Sequence, residues 1–127
     1  MQQKHLFEYA VIRVVPRVER EEFLNVGVIL YCAKLKFLEA HYHLDERRLL
    51  AFCKDCDIEE LRSHICSFEH ICRGDNDSGP IGKLDMASRF RWLTAARSTM
   101  LQTSKVHPGF TENPAETLSK LFTQMVE

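Results

Sequence analysis

The first third of the chain contains three apolar runs that predict β-strands. Residues 9–15 are rich in β-branched side chains and stop at Pro16, which removes a strand hydrogen-bond donor. Residues 24–33 are almost continuously apolar, as in a central strand covered on both faces, and Gly27 marks a bulge or a close backbone approach. Residues 36–43 alternate between the two faces of a strand. Because the runs are close in sequence, we expect an antiparallel meander.

The middle of the chain changes to helical spacing. Asp45 predicts the start of a short helix that reaches about Phe52. Asp57, followed by Glu60 three residues later, is an analogue of a capping box and predicts a second helix that ends near Cys72. The buried stripe of that helix is expected to consist of Ile58, Leu61, Ile65, Phe68 and Cys72.

The second half contains a glycine-rich interruption and then further short elements. Residues 73–83 hold three of the five glycines and predict a loop. Asp85 predicts the cap of a helix over residues 86–93. Residues 99–106 have strand character and are expected to join the sheet, and His107-Pro108-Gly109 is interpreted as the turn that follows.

The last element is a helix, because residues 113–116 combine a cap, a proline and an acid at the positions typical of a helix start. Residues 1–8 are interpreted as a polar lead-in. The predicted fold is therefore α+β, with one domain over residues 1–127. We expect an antiparallel sheet of three to four strands, with helices from residues 45–72 and 114–126 packed on one face.

Composition narrows the class of protein. The 127 residues fit one domain that needs no disulfide or metal to fold. A net charge of −1 argues against a protein that binds nucleic acid through its overall charge. No apolar run approaches the ~18–20 residues that span a membrane. An odd number of cysteines, five, and an N-terminus without an apolar leader predict free thiols and a cytoplasmic location, with no membrane association.

Charge is concentrated locally between Lys83 and Lys105, where five cations face one anion, Asp85. Guanidinium groups bind phosphate or carboxylate through paired hydrogen bonds, and indole offers a stacking face. The candidate anion-binding or partner-binding set is Arg89, Arg91, Trp92, Arg97, Gln102, Ser104, Lys105 and His107. The alternative is a solvated helix face with a core tryptophan and arginines paired to acids elsewhere. Two arginines two positions apart on a helix also point to different sides, which argues against one shared pocket.

A zinc site is the main metal hypothesis, with Cys53, Cys56, Cys66 and His70 as ligands. Cys66 and His70 lie roughly 12 Å along the predicted helix from its start, at 1.5 Å per residue. Because Cys56 precedes that start, it cannot reach them, and we predict no metal and no cofactor.

Two segments resemble a known family. They are Tyr9-Ala-Val-Ile-Arg-Val-Val-Pro16 with Glu21-Glu-Phe-Leu-Asn-Val-Gly-Val-Ile-Leu30, and Phe90-x-Trp-Leu-Thr-Ala-x-Arg97-Ser-Thr with Gln102-Thr-Ser-x-Val-His-Pro-Gly109. They resemble a bacterial family of small proteins known as domain of unknown function 3037, and the final helix also fits. The resemblance implies a protein partner, since family members are often encoded beside a HipA-like kinase. Ala96 stands where the family pattern has proline, so we expect a looser turn before Arg97.

Three functions remain open, because the sequence contains no complete catalytic signature. The first is a non-catalytic interaction or accessory protein, with a HipA-like kinase as the partner. The second is a nucleic-acid or nucleotide binder that uses residues 89–105. The third is an enzyme acting on a phosphorylated or nucleotidic substrate, with His107 or an acid as the base.

Overall fold

A computed structural model describes residues 3–97 and 99–127. Its strands are β1 (His5–Val14), β2 (Leu24–Cys32), β3 (Phe37–Tyr42), β4 (Leu101–Thr103) and β5 (His107–Thr111). Its helices are α1 (Glu46–Phe52), α2 (Ile58–Arg73), α3 (Gly79–Gly82), α4 (Met86–Leu93) and α5 (Pro114–Met125). The class is α+β with one antiparallel sheet, as predicted, although the sheet has five strands where three to four were expected.

The predicted meander is confirmed, since β1 pairs with β2 and β2 pairs with β3. The prediction of a polar lead-in over residues 1–8 is wrong for residues 5–8, because β1 begins at His5, and the first two residues lie outside the described part of the chain. The early part of β1 pairs with β5, from His5 opposite Thr111 to Tyr9 opposite His107. A local pattern gives no sign of a partner that lies about a hundred residues later in the chain.

β4 and β5 lie one after the other along the same edge of β1. β4 pairs with Ile12–Val14, and the Ser104 main chain continues this edge by donating to the Val11 carbonyl at 2.8 Å. The prediction that the segment near residues 99–106 joins the sheet is therefore confirmed. His107-Pro108-Gly109 was wrongly interpreted as a turn, because all three residues lie in β5. Proline is tolerated there since β5 is an edge strand that needs no second row of hydrogen bonds.

Gly27 marks a bulge and also a close approach. The register of β1 against β2 shifts between Ile12 and Arg13, where Ile12 pairs with Gly27 and Arg13 with Asn25. A Cβ on Gly27 would lie 2.6 Å from the main-chain oxygen of His41 in the neighbouring strand. The absence of a side chain thus lets β2 and β3 stay paired at this point.

The helix boundaries follow their predicted caps. The side chains of Asp57, Asp85 and Asn113 each accept a hydrogen bond from the main-chain N–H three residues later, at 3.0, 3.0 and 3.2 Å. α2 ends at Arg73 and is capped by Gly74, which has φ of 66°, in the left-handed region that glycine adopts without strain. The predicted loop over residues 73–83 contains α3, which the glycine content concealed.

The helices pack on both faces of the sheet, so the expected arrangement on one face was wrong. α1, α2 and α4 enclose one cluster with the even-numbered residues of β1, namely Ala10, Ile12 and Val14. α5 encloses a second cluster with Phe7 on the opposite side of the same strand. We call these the α2/α4 face and the α5 face. The cause is β2, whose apolar residues alternate between both clusters and require cover on both sides.

Among the described residues, no helix is both long and apolar enough to cross a membrane.

Candidate functional site

The predicted candidate set divides among several places. Arg91, on α4, donates from its two Nη atoms to the two carboxylate oxygens of Glu8 on β1, at 2.8 and 2.9 Å. Glu8, as hydrogen-bond acceptor, raises the pKa of Arg91. Because the guanidinium and the carboxylate bind each other through two hydrogen bonds, the pair connects α4 to the sheet.

Arg89 points to a different junction, between α2 and α3. Its Nη1 donates to the main-chain oxygen of Leu84 at 2.8 Å. A Cβ on Gly74 would lie 2.9 Å from the Arg89 Cζ, so the guanidinium lies against the end of α2. Its Nε is buried without a hydrogen-bond partner among the residues that the structure describes. Arg89 therefore packs between helices, away from Arg91.

Trp92 and Arg97 form the pair that the structure does bring together. The Arg97 Cζ lies 4.2 Å from the centroid of the Trp92 ring, and Arg97 donates a hydrogen bond to the Trp92 carbonyl. Burial lowers the pKa of Arg97. Both residues line a small cavity of about 120 Å³ with His64 and Ser67 of α2.

The remaining candidates lie along the β4–β5 edge. Ser104 is buried, and its Oγ accepts from the Val11 N–H at 2.8 Å and donates to the Lys105 carbonyl at 2.9 Å. The Gln102 amide donates to the Thr99 carbonyl at 2.8 Å. Lys105 is exposed, and the ring of His107 lies with its centroid 5.3 Å from that of Tyr9.

The eight candidates consequently do not converge on one pocket. Arg91 is paired with an acid from a distant strand, as the alternative hypothesis had it, and Ser104 completes the sheet. Trp92 does not fill the core either, because 40% of it is exposed. The candidates that stay accessible include Arg97, which is stacked on Trp92, and the exposed residues Lys105 and His107.

One group in the described part of the chain has spacing compatible with a metal ion. His70, Asp75 and Asp77 offer ligand atoms that lie within 4.8 Å of one another. His70 Nδ1 lies 2.7 Å from Asp75 Oδ2, which lowers the pKa of Asp75, and Asp75 Oδ1 accepts from the Asp77 N–H at 3.0 Å. These contacts stabilise the turn after α2. No cysteine belongs to the group, and the five cysteines are free thiols.

A second polar contact connects α2 to β3. The Tyr42 hydroxyl donates to the carboxylate of Glu69, which also pairs with Arg73. Glu69 as acceptor raises the pKa of Tyr42 to about 12, and the hydroxyl in turn lowers the pKa of Glu69. Both shifts follow from a shared hydrogen bond that favours a neutral phenol beside an ionised carboxylate.

Sequence reasoning missed Arg13. This residue lies on the α5 face of β1, with its Cζ 3.9 Å from the centroid of the Phe23 ring, and it lines an open groove of about 390 Å³. Its signal was a single charged residue inside the otherwise apolar run of residues 9–15, which is unusual for a position facing a core.

The exposed pair Leu6 and Phe110 was missed as well. The two residues lie opposite each other across β1 and β5, and they are 52% and 70% exposed. The sequence pattern does not indicate this pair, because residues 1–8 resemble a polar lead-in and residues 107–109 resemble a turn.

Comparison with known protein families identifies the family of this chain. A family model described as "Protein of unknown function (DUF3037)" matches residues 9–126, which include the segments that carry the sequence resemblance. No curated protein and no solved structure matches the chain.

Proposed function

We propose that this chain, which belongs to the DUF3037 family by the match over residues 9–126, is a non-catalytic interaction protein. It binds a partner protein through the apolar pair Leu6 and Phe110 at one end of the sheet. The family resemblance suggests a HipA-like kinase as that partner.

The observation that carries the proposal is the exposure of this pair. Phe110 is the most exposed large hydrophobic side chain among the described residues, and its cross-strand neighbour Leu6 is also more than half exposed. Burying a side chain of this size is worth about 1.5–3 kcal/mol. Two such residues side by side on a rigid strand pair therefore offer binding free energy that folding leaves unused.

The surroundings of Phe110 favour a protein over nucleic acid. Phe110 lines a shallow cavity of about 450 Å³ whose charged residues are Lys4, Glu112, Glu116 and Lys120. Two cations are balanced by two anions, and Lys120 is paired with Glu116 at 3.3 Å. An apolar centre with a mixed polar rim is typical of protein interfaces, whereas nucleic acids bind surfaces with excess positive charge.

The partner is expected to contact side chains rather than add a strand to the sheet. Pro108 lies in β5, the edge strand, and provides no main-chain donor. Proline on an edge strand hinders pairing with a further strand. The apolar pair is thus the principal attachment point of this end of the molecule.

The test is affinity capture of the tagged full chain from its host, with nuclease treatment, followed by binding of the purified partner to variants. Phe110→Ser and Leu6→Ser are each expected to weaken binding about tenfold or more, equivalent to 1.4 kcal/mol. The matched control is Leu50→Ser on α1, where the leucine is 42% exposed, and it should bind like the unmodified protein.

Two results would overturn the proposal. One is a partner that binds Phe110→Ser and Leu6→Ser as tightly as the unmodified chain. The other is loss of all captured material after nuclease, which would instead support nucleic-acid binding through the cations between residues 89 and 105.

A further inference from the structure

A groove of about 390 Å³ lies near the end of β1 that is far from Leu6. It is lined by Arg13 of β1, by Gln102 and Thr103 of β4, and by four residues of the segment between β1 and β2, namely Val15, Val18, Glu21 and Phe23. We call it the Arg13 groove. No residue of α5 lines it, so it lies beyond the part of the α5 face that the helix covers.

Arg13 presents an unpaired cation to this groove. Its Nε is buried without a hydrogen-bond partner, and no carboxylate of the described residues forms an ion pair with its guanidinium. Asn25, opposite Arg13 on β2, also has a buried oxygen without a partner. That oxygen accounts for at most one of the five guanidinium donors, so the others remain available.

The position of Arg13 is fixed by its neighbours. The aromatic ring of Phe23 covers one side of the guanidinium, with its centroid 3.9 Å from the Arg13 Cζ. The edge that carries the N–H donors is therefore the side that can bind a ligand. Burial lowers the pKa of Arg13, although an arginine stays charged at neutral pH. A partly buried cation without an acid is unfavourable, and an anion in the groove would relieve that cost.

The lining selects among anions. Three of the lining residues are apolar, namely Val15, Val18 and Phe23, and one, Glu21, carries a carboxylate. That carboxylate disfavours a doubly charged ligand such as phosphate, whereas one cation balances one negative charge. A planar carboxylate also matches the paired donors of guanidinium. The groove volume is within the ~300–1,000 Å³ typical of small-molecule sites.

We propose that the Arg13 groove binds a single carboxylate attached to an apolar group. The carboxylate pairs with the guanidinium edge of Arg13, and the apolar group lies against Phe23 and Val18. The same chemistry is carried by a free aliphatic acid and by the C-terminal leucine of a peptide. This site is separate from the Leu6–Phe110 pair, so either proposal can fail without the other.

The first experiment follows the Nε–H signal of Arg13 by NMR in the full chain. Isocaproate is titrated against its neutral amide, isocaproamide, and against inorganic phosphate. A second arm uses a short peptide ending in leucine, with either a free or an amidated C-terminus. Saturable binding of a free carboxylate supports the proposal, and the two arms show whether the free acid or the peptide binds more tightly. Equal binding of acid and amide, stronger binding of phosphate, or no saturation by either carboxylate would overturn it.

Variants supply the second experiment. Arg13→Gln should weaken carboxylate binding about tenfold or more, while Arg47→Gln, an exposed arginine on α1, should leave it unchanged. Glu21→Gln should strengthen binding about twofold to fivefold by removing a like charge. This gain cannot result from misfolding. Unchanged affinity in Arg13→Gln, or weaker binding in Glu21→Gln, would contradict the proposal.

Discussion

The two faces of the sheet differ in how completely helices cover them. On the α2/α4 face, three helices enclose a cluster that includes Phe90, Leu61 and Leu93, each at most 1% exposed. On the α5 face, one helix encloses a smaller cluster around Leu118 and leaves the Arg13 groove open. We therefore expect the α2/α4 face to provide the larger part of the stability. The other has room for a ligand because its cover is incomplete.

The same contrast exists between two arginines. Arg91 extends from α4 on the α2/α4 face and donates hydrogen bonds to both carboxylate oxygens of Glu8. Arg13 lies on the α5 face of β1, the strand that contains Glu8. It contacts the aromatic ring of Phe23 but forms no ion pair with an acid among the described residues. One guanidinium thus contributes to the fold, whereas the other retains its capacity to bind.

The largest expected effect compares the two clusters directly. Phe90→Ala, in the α2/α4 cluster, should lower the free energy of unfolding by about 3–5 kcal/mol. Leu118→Ala, in the α5 cluster, should cost less within the roughly 2–5 kcal/mol range, because a single helix can settle onto the smaller side chain. Urea unfolding monitored by circular dichroism measures both values. A greater loss in Leu118→Ala would reverse the ranking of the two faces.

A smaller difference is expected between two glycines. A Cβ on Gly27 would lie 2.6 Å from a main-chain oxygen, that of His41, which cannot move without shifting β3. A Cβ on Gly109 would lie 2.6 Å from the far end of the Phe7 ring, which can turn aside. We expect Gly27→Ala to cost about 1–3 kcal/mol and Gly109→Ala less. Thermal unfolding of the two variants provides the comparison, and equal losses would show that both faces are equally rigid.

The next prediction concerns the hydrogen bond between Tyr42 and Glu69 on the α2/α4 face. Because the folded state raises the pKa of Tyr42 from 10.0 to about 12, its contribution to stability is present below pH 10 and is lost as the pH rises to about 12. Glu69→Gln removes the ionised acceptor and should return the pKa of Tyr42 towards 10.0. Tyrosinate absorbance during a pH titration measures this change. An unaltered titration curve in Glu69→Gln would show that the carboxylate is not its cause.

The smallest effects, about 1 kcal/mol or less, are expected for the two arginines and should differ in sign. Arg91→Leu should slightly destabilise the fold, because it breaks a partly exposed ion pair and leaves Glu8 without its cation. Arg13→Leu should stabilise it, because an apolar side chain replaces a partly buried cation without an acid. The midpoints of denaturant unfolding of the two variants and of the unmodified protein measure these changes. Destabilisation by Arg13→Leu would indicate that Arg13 has a structural role.

Much of the fold was predictable because its signals are local. Caps such as Asp57 and Asn113 and the stop at Gly74 depend on a few adjacent residues, and the structure places them as expected. β5 was not predictable in this way, because Pro108 and Gly109 resemble a turn until their pairing with β1 is known. The position of α5 also depended on the whole sheet, since only two-sided cover satisfies β2.

The candidate site was less predictable, because side-chain partners come from distant segments. The sequence shows that Arg91 and Arg97 lie in a cation-rich stretch, but not that one of them meets Glu8 and the other Trp92. Arg13 gave a signal as the one charged residue in the apolar run of residues 9–15, but its surroundings, the Phe23 ring and the groove, could not be predicted from that run. Binding by the residues from Arg89 to His107 stays a prediction.

The order of strands has a consequence for synthesis of the chain. The meander of β1, β2 and β3 can assemble as soon as the first third has left the ribosome, but one edge of β1 then stays unpaired. Its partners, β4 and β5, are made only after residue 100, and the contact between Val11 and Ser104 spans 93 positions. During this interval the nascent chain exposes an apolar strand edge to other molecules. Production of the protein is therefore expected to be most sensitive to delay or truncation before residue 101.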